Sequence, residues 1–280
     1  MNSHAENRID TLPHLTRLPL FATLAPQRIA GLAELARGKR LVKGEMLFQK
    51  GDTAHGFYLI VYGQVKLAFP SANGNEKVVD IINAQQSFGE AVMLAQQPYP
   101  VFAQALADSL LIYIPRDAVF DLLQCDSAFA TRMLIGLALH NHSLVNDIES
   151  YTLRSSVQRV ICYLLEHCPA ADTPVKSVEI VLPTSKQVTA SRLNLTPETF
   201  SRILHELMDG GLIAMVGKRI VIPDLPRLRA AIASDGADAP CCRKALPGKR
   251  RPQARQRVIG VSHGDAAHPH GSGRSGERTW

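Results

Sequence analysis

TSKQVTASRLNLTPETFSRILHELMDGGLI, residues 184–213, holds two short amphipathic runs separated by a polar turn. In the second run Thr196 suits an N-cap and Pro197 the first helical position. Phe200, Ile203, Leu204 and Leu207 recur at helical spacing, which makes one apolar stripe. Glu198, Ser201, Arg202 and His205 fall on roughly the opposite face. The spacing predicts helices over about 184–193 and 197–209. VEIVLP (178–183) reads as a strand before them, and GLIAMVGKRIVIP (211–223) as a hairpin turning at Gly217–Lys218. Two short helices followed by a hairpin have the order of a winged helix-turn-helix.

The polar face of the second helix has the chemistry of base readout. Arg202 can donate to guanine O6 and N7, and Glu198 can accept from cytosine N4. The same two residues would also serve stability alone, as an acid at a helix N-terminus and an i,i+4 pair. Around them Ser185, Lys186, Gln187, Arg192, Thr196, Thr199, Lys218 and Arg219 are candidate contacts to the DNA backbone. Such contacts position a module and set its salt sensitivity without reading sequence.

Upstream, from Leu41 to Pro115, the texture is different. VKGEMLFQKGD (42–52), FYLIVYGQVKLAF (57–69), VVDIINAQQSF (78–88) and SLLIYIP (109–115) are short apolar runs divided by glycine turns. ANGNE (72–76) is a hairpin signal, because Asn and Gly tolerate positive φ. This predicts a closed β-roll. From Arg116 to about His167 the period is helical, and Leu134, Leu137, Asn141, Leu144, Ile148 and Tyr151 step by three and four. That is a heptad seam for a homodimer, with Asn141 where a buried amide fixes register; packing on the chain's own β-roll is the other use of such a stripe.

The formal charge is +6, but from Asp235 to the end nine Lys/Arg stand against four Asp/Glu, so residues 1–234 carry about +1. Net charge therefore does not locate a nucleic-acid surface here, and side-chain placement must. The segment after 234 is rich in Pro, Gly, Ser and Arg without periodicity and reads as a disordered basic tail. Five cysteines without zinc-type spacing read as reduced thiols, with Cys162 and Cys168 on an apolar helical pattern. No stretch has the ~20 apolar residues that span a membrane, and the first residues lack a secretory core, which points to a cytoplasmic chain. No Ser/His/Asp set, metal-ligand cluster or phosphate-cradling glycine loop stands out, so the reading is not an enzyme. Residues 1–117, 118–153, 154–233 and 234–280 are expected as β-roll with N-terminal helices, dimerisation helix region, winged helix-turn-helix and tail, an α+β chain.

KGEMLFQKGDTAHGFYLIVYGQVKL, then FGEAVML, then a dimer-type helix, then the stretch quoted first, resembles the cyclic-AMP receptor protein / fumarate–nitrate reduction regulator family of bacterial transcription factors. The resemblance covers about residues 18–230. It implies a cyclic-nucleotide-binding-like β-roll that takes a signal, a dimer that binds a two-fold symmetric operator on double-stranded DNA, and RNA polymerase as a partner. It assigns base reading to Glu198 and Arg202, and Ser201 matches the serine of the fumarate–nitrate branch, which reads TTGAT-type half-sites. Pro197 stands where the branch reading TGTGA-type half-sites has Arg.

For the effector the resemblance points to a pocket at Gly89, Glu90, Tyr99 and Val101. Glu90 matches the ribose-binding Glu of cyclic AMP binders, but Tyr99, Pro100 and Val101 stand around where their phosphate-binding Arg and Ser would fall. A buried phosphate without a cation is costly, so cyclic AMP does not fit. The absence of cysteine before residue 125 does not fit the iron–sulfur cluster of the oxygen sensors. PETFSRI, FGEAVM and HGFYLIVYG look closest to the dissimilatory nitrate respiration regulators, which respond to nitric oxide with haem as the supposed cofactor. His140 and His142 are then the candidate axial ligands, and no metal site is assigned.

Overall fold

The computed structural model describes residues 9–70, 76–168, 177–217 and 219–233. The chain opens with the short helices α1 (Leu12–Leu15) and α2 (Pro26–Leu35). Eight strands follow: β1 (Arg37–Leu41), β2 (Met46–Phe48), β3 (Gly56–Tyr62), β4 (Gln64–Pro70), β5 (Glu76–Asn83), β6 (Ser87–Phe88), β7 (Phe102–Ala105) and β8 (Ser109–Pro115). Helix α3 (Glu90–Ala95) lies between β6 and β7. The strands form two antiparallel four-stranded sheets, ordered β1-β8-β3-β6 and β2-β7-β4-β5. Phe57, Leu59, Val65, Leu111 and Ile112 are buried in one apolar core with both sheets. Gly63 joins β3 to β4 at φ 91°, where a Cβ would meet the Ser109 hydroxyl at 2.1 Å, so glycine alone fits. The β4–β5 strands pair as far as Pro70 with Glu76, while the tip of the ANGNE turn lies outside the described residues.

The helical region begins with α4 (Arg116–Cys125) and α5 (Ser127–Leu153), bent by 118° at the break between them. Asp126 makes that break, its carboxylate accepting the Phe129 N–H at 2.9 Å as an N-cap. Phe129 stacks on Phe21 at 5.9 Å, which fastens the start of α5 to the N-terminal segment. Arg154 is extended, and Ser155 with Gln158 forms a capping box that starts α6 (Ser156–Glu166). Among the described residues no single helix is long and apolar enough to cross a membrane.

The C-terminal module contains α6, β9 (Val178–Val181), α7 (Lys186–Arg192), α8 (Pro197–Asp209), β10 (Ala214–Val216), β11 (Arg219–Ile222) and α9 (Leu225–Ala233). Its strands form one sheet ordered β10-β11-β9. Val160, Leu164, Phe200, Leu204, Ile220 and Leu228 share a second apolar core, separate from that of the β-roll. Helix α9 was not legible in the residue pattern; it starts where the Asp224 carboxylate accepts the Arg227 N–H. Cys125 is an exposed free thiol and Cys168 is buried, but Cys162 is disulfide-bonded, which corrects the reading of reduced thiols throughout. An odd count requires only one unpaired cysteine. The tail from 234 lies outside the described residues.

Candidate nucleic-acid interface

Helix α8 is fixed by its buried side. Phe200, Ile203, Leu204 and Leu207 are all within 3% of full burial, which turns the other side of the helix outward. Its N-cap is Thr196, whose hydroxyl accepts the Thr199 N–H at 3.2 Å. Pro197 occupies the first position, where its missing N–H leaves no bond unmade. Glu198 and Arg202 are exposed and Ser201 is half-buried beside them. The Glu198 carboxyl is held below its ordinary value by its own backbone N–H and by the Thr196 hydroxyl, so it stays an anionic acceptor. Arg202 approaches Glu206, at 4.0 Å and with both groups exposed, so the i,i+4 pair recorded on this face runs toward the C-terminus. An exposed pair of that length is weak, and Arg202 is available to a base edge.

The turn into α8 depends on Asn194, which adopts φ 59°. Asn tolerates this left-handed conformation where most residues would be strained. Beneath it Thr189 is fully buried, yet its hydroxyl lies 2.9 Å from that of Thr184, which satisfies the polar atom.

The expected phosphate contacts divide. Lys186 and Gln187 are exposed on α7, and Ser185 caps that helix, accepting the Val188 N–H at 3.3 Å. Thr196 is exposed and Thr199 half-buried at the start of α8. Arg219 stands on the wing, 3.1 Å from the Glu179 carboxylate across the sheet. Lys218 lies outside the described residues. Arg192 is placed differently from the others: its guanidinium is turned into the chain, 2.6 Å from Asp147 and 3.9 Å from Asp80, rather than toward solvent. Two carboxylates from distant elements outcompete water there, and nothing in the local pattern of α7 reveals them.

The seam residues on α5 also divide. Leu134, Asn141 and Ile148 are exposed, but Leu137 packs on the β-roll core, Leu144 is half-buried, and Tyr151 donates its hydroxyl to the Arg192 carbonyl at 2.7 Å. The exposed line runs instead through Leu134, Ala138, Asn141, Val145 and Ile148. Both lines step by three and four, so spacing alone could not choose between them.

In the β-roll, Gly89, Glu90 and Tyr99 come together. Gly89 starts α3 at φ 94°, and a Cβ there would lie 3.5 Å from the Tyr99 hydroxyl. The Tyr99 ring stacks on Phe48 at 3.6 Å, and Tyr58, Phe88 and Tyr113 extend the aromatic cluster. Val101 is buried close by in the chain. Burial pushes the Glu90 carboxyl up, opposed by a hydrogen bond from Ser87 and by its own backbone N–H. Burial likewise drives the Tyr58 hydroxyl up to about 12. His140 and His142 are both exposed on α5, and His55 is exposed on the β-roll. Their imidazoles are thus outside the aromatic interior, and the residues as placed do not fit a haem held there. Among the described residues no group of three or more His, Cys, Asp or Glu could hold a metal ion.

A two-sheet β-roll joined by a long helix to a winged helix-turn-helix defines a class: DNA-binding regulators with a sensor domain. Residues 38–126 match the cyclic nucleotide-binding domain family, and residues 158–231 the Crp-like helix-turn-helix domain family. A solved structure from Ruegeria pomeroyi, described as a candidate cyclic nucleotide binding protein, is 30% identical with a TM-score of 0.54. That match covers 81% of this chain and 98% of that one. The CRP-like cAMP-activated global transcriptional regulator of Mycobacterium tuberculosis is 22% identical over 76% of this chain and 96% of its own length. The anaerobic regulatory protein of Pasteurella multocida is 28% identical over 76% of this chain and 79% of its own. The chain belongs to the cyclic-AMP receptor protein / fumarate–nitrate reduction regulator family of transcription regulators.

Proposed function

We propose that this regulator binds, as a homodimer, a palindromic operator built of TTGAT-type half-sites. The observation that carries the reading is α8: Glu198, Ser201 and Arg202 share one outward face over a fully buried stripe. Glu198 accepts from cytosine, Arg202 donates to guanine, and Ser201 marks the half-site type. Lys186, Gln187, Thr196, Thr199 and the wing supply backbone contacts that set the register. Association of two chains through the exposed line on α5 places two such helices in successive major grooves. RNA polymerase is the partner that the family implies. Gel-shift titration of a TTGAT-N4-ATCAA duplex against one with both guanines replaced tests the reading; equal affinity for the two would reject it.

The β-roll receives the signal in this proposal. The nitrate-respiration branch responds to nitric oxide with haem as the supposed cofactor, but His55, His140 and His142 are all exposed here, so no haem is assigned. A second reading, control by a cyclic nucleotide, is favoured by the domain match over residues 38–126. Against it stands the setting of Glu90, whose surroundings raise its pKa through burial, as expected of a carboxyl with no phosphate-binding cation beside it. Calorimetric titration with cyclic AMP separates the two, since a saturable signal at micromolar ligand would establish the second.

A further inference from the structure

The two apolar cores of the chain do not cross from one domain to the other. What joins the DNA module to the β-roll is polar and lies at the C-terminal end of α7. Strand β5 is an edge strand, so one side of its backbone seeks partners outside the sheet. Ser191 provides them: its hydroxyl accepts the Val78 N–H at 2.9 Å and donates to the Glu76 carbonyl at 2.8 Å. Lys77 donates to the Ser191 carbonyl at 2.7 Å, with its ammonium 5.0 Å over the Tyr151 ring.

The next residue closes the contact. Arg192 donates through Nη2 to Asp147 on α5 at 2.6 Å and has Nε 3.9 Å from Asp80 on β5. It also meets the Tyr151 hydroxyl. The side chains of Arg192 and Asp80 are only 16% and 15% exposed. Burial disfavours the guanidinium charge, but Asp147, Asp80 and Tyr151 together outweigh it and raise the pKa. Buried pairs of this kind hold only while both partners are present, because removing one leaves an uncompensated charge. Arg154, the single extended residue before the Ser155 cap, lies between α5 and the module. It is a short link on which the module could swing once the polar contact is released.

We propose that Arg192 with Asp80 and Asp147, and Ser191 with β5, form an intramolecular latch that opposes DNA binding. This rests on the reading of α7 and α8 as the DNA-facing helices. Arg192 belongs to the helix whose other end presents Lys186 and Gln187. It cannot serve a phosphate and two carboxylates together, and those carboxylates repel an approaching phosphate. Release of the latch exposes a cation and moves acidic groups away from the same surface.

The test uses the full chain with Asp80→Asn and Asp147→Asn combined, and Ser191→Ala separately, so that neither a base-reading nor an exposed phosphate-contacting residue is altered. Hydrogen exchange at Val78 and along α7 reads the docking, and titration of the TTGAT-N4-ATCAA duplex without effector reads the consequence. Both variants are expected to exchange at Val78 at least tenfold faster and to bind the duplex at least fivefold tighter. Unchanged exchange in both, or faster exchange with unchanged or weaker duplex binding, would overturn the latch. If no form, wild type included, prefers this duplex over scrambled DNA, the operator reading fails; exchange then decides the docking contact alone.

Discussion

Arg192 Nη2 lies 2.6 Å from the Asp147 carboxylate, so a residue of the helix-turn-helix is ion-paired to the long helix 45 positions earlier in the chain. That pair sets the electrostatics of its neighbour Lys77. Burial, then the cations of Arg192 and Arg159, push the Lys77 ammonium down to about 8, while Asp147 opposes them.

The first prediction follows from that shift. Lys77 is faced by Arg192 from α7, Arg159 from α6, and Asp147 and Tyr151 from α5. Its folded value is below the unfolded one, so between pH 8 and the ordinary lysine range the unfolded chain binds more protons. Stability contributed at this site is therefore lowest below pH 8 and rises with pH above it. Chemical denaturation of wild type and Lys77→Met at pH 7 and pH 9 checks the sign: the gain on going to pH 9 should be smaller in the variant.

The Glu90 carboxyl gives the opposite slope. Its folded pKa is raised, so the folded state binds the extra proton and stability falls as pH rises from the ordinary carboxylate value through the folded one. Glu90→Gln should raise Tm at pH 7 and leave it nearly unchanged at pH 4. A fall in Tm at pH 7 would mean that the carboxylate is needed as an anion.

Base reading and backbone contact separate by sequence dependence. Arg202→Ala is expected to cost about 1–3 kcal/mol on TTGAT and to abolish preference for its guanine. Lys186→Ala should weaken all duplexes about equally and reduce the salt slope by about 1. Affinities measured at several salt concentrations on matched and guanine-substituted duplexes distinguish them; a uniform loss for Arg202→Ala refutes its role.

Association through α5 predicts that Val145→Asp combined with Ile148→Asp yields a monomer by sedimentation, because both residues are more than half exposed in one chain. Leu137→Ala, which alters a contact with the β-roll core, should instead lower Tm and leave the mass unchanged. A dimer that survives the paired aspartates would place the interface elsewhere.

Phe200 is fully buried in the module core. Phe200→Ala should destabilise the module by about 3–5 kcal/mol and abolish DNA binding while the β-roll keeps its own melting transition. Two calorimetric transitions, of which only one shifts, are the expected record. A single transition shifted as a whole would show that the two cores unfold together.

Much of this protein was legible residue by residue. The apolar stripe of α8, the Thr196 cap, the Pro197 start and the left-handed Asn194 all arise from interactions within a few residues, and each stands where the pattern placed it. The alternating runs of the β-roll were readable for the same reason, since strand period is local. Placement between elements was not. Arg192 looks like any exposed cation on a short helix, and only folding brings Asp80 and Asp147 to it from over 40 residues away. The α5 stripe shows the same limit: Leu137 and Ala138 fit a three-four repeat equally well, and packing on the β-roll decides which of them turns inward. Local periodicity determines what each element is and which chemistry it carries. Contacts between residues far apart in the chain determine which of that chemistry faces solvent, because burial and charge pairing are properties of the assembled surfaces.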